Sequence, residues 1–454
     1  MSRTDAEYQK VIDELHSRWP DAQVVPTLDR VQQLVDLLGS PHHGYPVIHV
    51  GGTNGKSSTT RMAAELLRAT GLRVGRFTSP EFRLPDRIAV DGEPVDQERF
   101  VELYHEVAPY LAVVEARFPQ RLTAFEVLTP MAFAAFADAP VDAAVLEVGM
   151  GGGWDCTNVV RGEVVVLTPI GLDHQKYLGD TVEEIATEKA GIIKPGSTVV
   201  LARQPAEAAD PILRRCVEVG ATVAREDSEF GVLERSVAVG GQLLTLQGLG
   251  GTYPDVFLPA HGPHQAQNAA LALAAVEALL GAGRERQLDP ELVRQGFAGI
   301  RVPGRLERVR SAPTVLLDAA HNPHGMAATA AALESDFAFR KLVAVVSIAS
   351  DKDAAGMLEL LEPVVAAVVV TRNTSPRAMP VEQLAGLAAA AFGPDRVHVA
   401  AELPDAIELA VTLVEADLDG PPSGLGVLVT GSVVTVADAR RLLAPASRSG
   451  DATG

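Results

Sequence analysis

His49-Val-Gly-Gly-Thr-Asn-Gly-Lys-Ser-Ser58 decides how this chain is read. An apolar run, Val47–Val50, leads into it, and a helical pattern, Thr59–Ala69, leads out. In a strand–loop–helix order, Gly51, Gly52 and Gly55 let backbone N–H groups approach phosphate oxygens, since no side chain stands in the way. The helix N-terminus adds positive potential. Lys56, expected on a solvent-facing loop, can reach the β- and γ-phosphates, and the hydroxyl of Ser57 or Ser58 can meet magnesium. The stretch thus predicts a nucleotide site from Gly52, Thr53, Asn54, Gly55, Lys56, Ser57 and Ser58. Gly51 and Gly55 are one residue closer than in the general phosphate-loop pattern, and the competing reading is a glycine-rich turn with a solvated lysine. A second glycine run, Gly149-Met-Gly-Gly-Gly153, fails as a dinucleotide loop because Trp154 stands where the third glycine belongs.

Outward from the loop, short apolar runs alternate with helical stretches. Val47–Val50, Arg73–Phe77, Ala143–Val148 and Val164–Thr168 read as buried strands, with helices such as Phe125–Ala137 between them. This alternation predicts an α/β fold on a mostly parallel sheet. Gly231 to Leu258 has short β-like runs broken by glycine pairs and reads as a small antiparallel meander, followed by a helix from Gln265 to Leu280. Gly299-Ile-Arg-Val-Pro-Gly304 reads as a linker. Beyond it the alternation resumes, with strands at Val315–Leu317, Leu342–Val346, Ala367–Val370 and Gly426–Val429. The expected organisation is a phosphate-loop domain over residues 1–300, including the meander, and a smaller Rossmann-like α/β domain over residues 301–454, hinged near residue 300. The tail from Pro445 reads as disordered.

The chain has 454 residues, enough for two or three cores, and a net charge of −19. Such an acidic chain lacks the basic stripes that nucleic acid or a membrane surface requires, though one pocket can still be locally basic. Cys156 and Cys216 are its two cysteines, too few for a disulfide framework and in keeping with a reducing cytosol. The first ten residues hold no apolar stretch of a signal peptide, and the longest aliphatic run, Val364–Val370, is too short to span a bilayer. A cytoplasmic monomer is expected.

The phosphate loop resembles that of the Mur ligase superfamily. Further stretches make the chain resemble the folylpolyglutamate/dihydrofolate synthase branch. They are Thr78-Ser-Pro80, Phe125-Glu-Val-Leu-Thr129, Glu147-Val-Gly-Met-Gly-Gly152, Trp154-Asp-Cys-Thr-Asn158, Asp173-His174, Glu188-Lys-Ala-Gly-Ile-Ile193 and His264-Gln-Ala-Gln-Asn268. Pro303-Gly-Arg-Leu-Glu307, Asp318-Ala-Ala-His-Asn-Pro323, Asp351-Lys-Asp353 and Thr430-Gly-Ser432 continue the set in unbroken order. Each motif is weak alone; the ordered series is specific.

The resemblance implies an ATP-dependent amide ligase. It would add L-glutamate to a folate-type acid through an acyl phosphate, with ATP bound between the two domains and Mg2+ at two sites. Glu147 ends an apolar strand, and a hard cation favours its carboxylate. Together with Ser57, Ser79 and His174 it forms the implied metal set. Lys189, in a helix opened by the capping-box pattern Thr181-Val-Glu-Glu184, is implied to carry a carbamate. Arg305 is implied to reach the transferred phosphoryl group, Asn268 the adenine edge, Asp318 the nucleotide, and His321 the γ-phosphate or incoming amino acid. The catalytic set is therefore Lys56, Lys189, Arg305 and His321. Phe125, Trp154, Asp155 and Cys156 are the implied acid-site residues, and Ser432 is assigned to the incoming glutamate. Taken singly, each has an ordinary reading: Lys189 as a surface lysine beside Glu188, Arg305 as a surface ion pair, Asn268 as a polar helix residue, His321 as a cap and Cys156 as a packing residue.

The chain departs from the family pattern where Glu81-Phe82 replaces His-Leu, Asp86 replaces glutamate, Gly153 replaces arginine, Cys156 replaces alanine and Lys176 replaces aspartate. These changes fall in loops expected near the pterin or the metal, while the ATP-handling residues are kept. Three alternatives stay open: a related ligase for a non-folate acid, a phosphate-loop ATPase or kinase indifferent to amino acids, and a nucleotide-binding protein without catalysis. Loss of a charged fork at Gly153 and a new anion at Glu81 predict poorer use of folate-type acids.

Overall fold

The structure, a computed structural model, describes residues 3–18, 25–79, 82–281, 287–416 and 424–443. Glu81 and the tail from Pro445 lie outside the described residues. The chain forms two compact units, one of Met1–Pro259 with His264–Arg301, the other of Ala260–Pro263 with Val302–Gly454.

The first unit is built on β1 (Val47–Gly51), β2 (Val74–Phe77), β3 (Ile88–Val90), β4 (Glu93–Pro94), β5 (Ala143–Glu147), β6 (Val164–Leu167), β7 (Thr198–Leu201) and β8 (Thr222–Arg225). They form one sheet in the order β4-β3-β2-β5-β1-β6-β7-β8. From β2 through β8 every pairing is parallel; β3 and β4 add an antiparallel edge. Every residue of β1 is buried, as expected of a parallel strand with apolar residues on both faces. One core cluster joins Phe77, Ala144 and Leu146 to helices Gln97–Glu115 and Ala124–Asp138, and another joins Val165, Leu167 and Val199 to helices Val182–Ala190 and Ala206–Val219. The helix at Ala124 opens with a Thr123/Glu126 capping box, and that at Val182 with the expected Thr181/Glu184 box.

The parallel strands end on a common edge, where ligands of such sheets bind. Register places Val50 beside Glu147 and Gly51 beside Leu167, so the phosphate loop, Glu147 and Thr168 emerge together. The expected meander is present as β9 (Gly231–Ala238), β10 (Gly241–Gln247) and β11 (Thr252–Leu258), antiparallel in the order β11-β10-β9. Helix Pro263–Leu279 follows it.

The second unit has its own sheet, β12 (Glu307–Ser311), β13 (Thr314–Leu317), β14 (Lys341–Val346), β15 (Ala367–Arg372), β16 (Val397–Glu402) and β17 (Leu425–Thr430), ordered β12-β13-β17-β14-β15-β16. Only β12 is antiparallel to its neighbour. This is the second α/β domain expected from the alternation. Helices unmarked in the sequence reading include Arg3–Ser17 and Asp29–Leu37. Among the described residues no helix is long and apolar enough to cross a membrane.

Candidate active site

The glycines of the phosphate loop are fixed by geometry. Gly52 has φ 132° and Gly55 has φ 91°, conformations that L side chains rarely adopt. A Cβ on Gly52 would lie 1.9 Å from Thr168 Oγ1, and one on Gly55 would lie 2.5 Å from Asn268 Oδ1. Asn268 thus stands against the loop, on helix Pro263–Leu279, with Nδ2 donating to Gln265 Oε1 at 3.2 Å. Thr53 pins the loop to the turn after β6: its hydroxyl donates to Gly171 O at 3.1 Å and accepts from Gly171 N at 3.2 Å. The Thr53 and Asn54 amides both donate to Pro169 O. Lys56 corrects one expectation. It is the first residue of helix Lys56–Ala69 and partly buried, not on a solvent-facing loop, and its Nζ donates to Thr53 O at 3.0 Å.

Glu147 is 1% exposed, and both carboxylate oxygens are engaged. Oε1 accepts from Ser57 Oγ at 2.8 Å and Oε2 from the Ser79 amide at 2.9 Å. Arg87 Nη1 donates to Ser79 Oγ at 3.3 Å, setting a buried guanidinium beside the group. Three of the four implied metal residues therefore converge. His174 lies in a left-handed turn with φ 52°, its backbone amide donating to Asp173 Oδ1 at 2.8 Å. Among the described residues no group of three or more His, Cys, Asp and Glu side chains could hold a metal ion.

Lys189 is 4% exposed, which overturns its reading as a surface lysine. Its Nζ donates to Gly52 O at 2.8 Å, tying helix Val182–Ala190 to the phosphate loop. Burial, with Lys56 nearby, lowers its pKa from 10.5 to about 7. The preceding Glu188 clasps the second glycine run. Its carboxylate accepts from the Trp154 amide at 3.2 Å and its main-chain carbonyl from the Gly153 amide at 3.0 Å, and burial raises its pKa. A Cβ on Gly153 would stand 3.3 Å from Glu188 Oε1, and one on Gly152 would meet helix backbone at 2.7 Å.

Asp155 is buried and organises the same segment. Oδ2 accepts from the Met150 amide at 2.9 Å; Oδ1 accepts from the Thr157 amide at 2.9 Å and its hydroxyl at 2.5 Å. Phe125 stacks on Phe77 with centroids 5.6 Å apart, and packs so closely on Gly149 that a Cβ there would lie 2.6 Å from the ring. Cys156 packs against the core, and burial pushes its thiol pKa well up, as suits a packing residue rather than a nucleophile.

In the second unit Asp318 is 3% exposed. Its carboxylate accepts from the Leu306 and Ala320 amides, each at 3.0 Å, and from Thr329 Oγ1 at 2.8 Å, which fixes the turn carrying Arg305. Arg305 Nη1 donates to Gly304 O at 3.0 Å. His321 Nδ1 lies 2.9 Å from Ala319 O; the helix cap is the neighbouring Asn322, which accepts from the Gly325 amide at 2.7 Å. Ser432 Oγ accepts from Asn373 Nδ2 and the Thr435 amide, each at 3.0 Å. Arg87 and Glu188 are not singled out in the sequence; Arg87 follows Asp86 and Glu188 opens the stretch that carries Lys189, but only their folded contacts distinguish them.

The Mur ligase middle-domain family model matches residues 50–276, and the Mur ligase glutamate ligase domain matches residues 304–433. Fold and phosphate-loop site together thus define the class, the ATP-dependent ligases of the Mur type. The chain is 52% identical over 448 residues to the dihydrofolate synthase/folylpolyglutamate synthase of Mycobacterium tuberculosis, covering 94% of this chain and 92% of that protein. The solved Mycobacterium tuberculosis folylpolyglutamate synthase complexed with ADP matches with TM-score 0.92 and 50% identity, over 97% of this chain and 99% of that one. An FPGS–AMPPCP–folate complex matches with TM-score 0.82 and 31% identity, over 96% and 99% of the two chains. The chain belongs to the dihydrofolate synthase/folylpolyglutamate synthase family.

Proposed function

We propose that this chain binds ATP and ligates L-glutamate to a folate-type acid through an acyl phosphate. The observation that carries the reading is Glu147 held by Ser57 of the phosphate loop and by Ser79, beside a buried Lys189 that grips Gly52. In this reading an oxygen of the acid's carboxylate attacks the γ-phosphorus, and the bond to ADP breaks. The glutamate amine then attacks the acyl carbon, the carbon–oxygen bond breaks, and phosphate and a proton leave. Gly52 to Ser58 bind the phosphates, with Lys56 offsetting charge on the transferred group. Asn268 takes the adenine edge, Asp318 the nucleotide, Arg305 the phosphoryl group, His321 the γ-phosphate or incoming amine, and Ser432 the glutamate. Phe125, Trp154, Asp155 and Cys156 form the acid site, with Asp155 shaping its backbone.

The donor set fits magnesium, which takes one or two carboxylates, hydroxyls and phosphate oxygens. Glu147, Ser57 and Ser79 would hold one ion, with His174 assigned alongside them. Its contribution when bound is to neutralise charge on the phosphates. Lys189 fits a carbamate because carbon dioxide reacts with a neutral amine, and a pKa near 7 leaves much of this amine neutral. The carbamate oxygens would serve a second ion. The reading extends to a cytoplasmic monomer that takes small-molecule substrates alone.

The acyl phosphate is tested with an acid carrying heavy oxygen in its carboxylate. One labelled oxygen should appear in the released phosphate. Phosphate free of label excludes the acyl phosphate.

A further inference from the structure

His49 sits inside β1, wholly buried, among Val47, Ile48 and Val50. An imidazole there is costly, since burying a polar group is unfavourable unless it is hydrogen-bonded. Packing alone would select another aliphatic residue. Its Nε2 lies 2.8 Å from Thr157 Oγ1. The Thr157 hydroxyl gives its own hydrogen to Asp155 Oδ1 at 2.5 Å, so it can only accept from the imidazole. His49 is therefore the Nε2–H tautomer and a donor. Burial, reinforced by Lys194, lowers its pKa to about 3, which keeps the ring neutral at working pH.

The relay continues past Asp155, whose other oxygen accepts from the Met150 amide at 2.9 Å. It thus runs from β1, two residues before the phosphate loop, into the segment that leaves Glu147 and carries Trp154 and Cys156. We propose that His49 is a positioning residue for the ligation, holding the Gly149–Cys156 segment in register with the phosphate loop through Thr157 and Asp155. The proposal rests on the reading of that segment as the acid site.

The test uses the full chain in a Trp19→Phe background, which leaves Trp154 as the sole tryptophan of the two. His49→Leu, His49→Gln and Thr157→Val are compared. Glutamine Nε2 reaches where imidazole Nε2 lies and can donate, so His49→Gln should stay near the parent. His49→Leu and Thr157→Val should each raise KM for a pteroate-type acid by about tenfold, the worth of one buried hydrogen bond, while KM for ATP changes by less than about threefold. Acrylamide quenching of Trp154 should increase in both. The double variant should be little worse than either single one, because both break the same relay. Thr157→Val carries the test if His49→Leu does not fold.

Unchanged Trp154 quenching in the variants, additive effects, or a glutamine variant as impaired as the leucine would overturn the positioning role and leave the ligase reading standing. A loosened segment with unchanged acid KM would also overturn it, but by showing that the segment is not the acid site.

Discussion

Replacing Lys189 by methionine should destroy activity and at the same time stabilise the protein. Lys189 is 4% exposed and its pKa falls from 10.5 to about 7. At 1.36 kcal/mol per pH unit, holding it in the fold at pH 7 costs roughly 4 kcal/mol. Methionine fills similar space without that cost but gives up the hydrogen bond to Gly52 O, worth about 1 kcal/mol. The net gain is about 3 kcal/mol, or about 6 °C in Tm for a unit of this size. The sign is checked by pH. The folded value lies below the unfolded one, so between about pH 7 and 10.5 the unfolded chain holds a proton that the folded chain lacks. Stability of the wild type therefore rises with pH across that window, and the penalty is full below pH 7. The methionine variant lacks this slope, and its advantage should shrink by about 2.5 kcal/mol between pH 7 and 9. The assay is thermal unfolding of both proteins in carbon-dioxide-free buffer at both pH values. Bicarbonate should then stabilise the wild type alone, because only it can form the carbamate. A methionine variant less stable than wild type at pH 7, or with an advantage indifferent to pH, would refute the reasoning.

Other consequences follow from the same contacts. Lys56→Ala should lose at least about a hundredfold in turnover while its thermal unfolding stays close to wild type, because a main cation at the transferred phosphate is gone; near-normal turnover in the folded variant refutes the phosphate-loop role. Lys189→Ala should be inactive and partly restored by millimolar short carboxylic acids, read as ADP release. Arg305→Ala should lower kcat while ATP affinity by titration stays near wild type; lost affinity with unchanged kcat contradicts its role. Gly153→Arg should change kcat/KM for a pteroate-type acid by less than about fivefold, since its side chain starts beside Glu188, and such a partly exposed ion pair is worth under about 1 kcal/mol. A tenfold gain would show that the missing arginine was a substrate contact.

Most of the architecture was legible because its signals are local. Buried parallel strands are short apolar runs, and Ala143–Glu147 or Lys341–Val346 differ from the expected bounds by one residue. Thr181 and Glu184 announced their helix by spacing alone. The phosphate loop was legible because glycine is required at Gly52 and Gly55 by their backbone angles. What spacing could not show was the pairing of distant segments. Nothing local tells that Lys189 is buried against Gly52, or that Glu188 accepts from the amides of Gly153 and Trp154. Those contacts also change the meaning of Gly153. Read alone, it looked like a lost substrate contact; in the fold, an added side chain first meets Glu188.

The central claim is tested most directly by ADP release with ATP, magnesium and a pteroate-type acid, measured with and without L-glutamate while the acid product is weighed by mass spectrometry. The account predicts ADP release that requires both acid and glutamate, in step with a product heavier by one glutamyl residue. ADP release indifferent to glutamate, or an acid recovered unchanged, would contradict it.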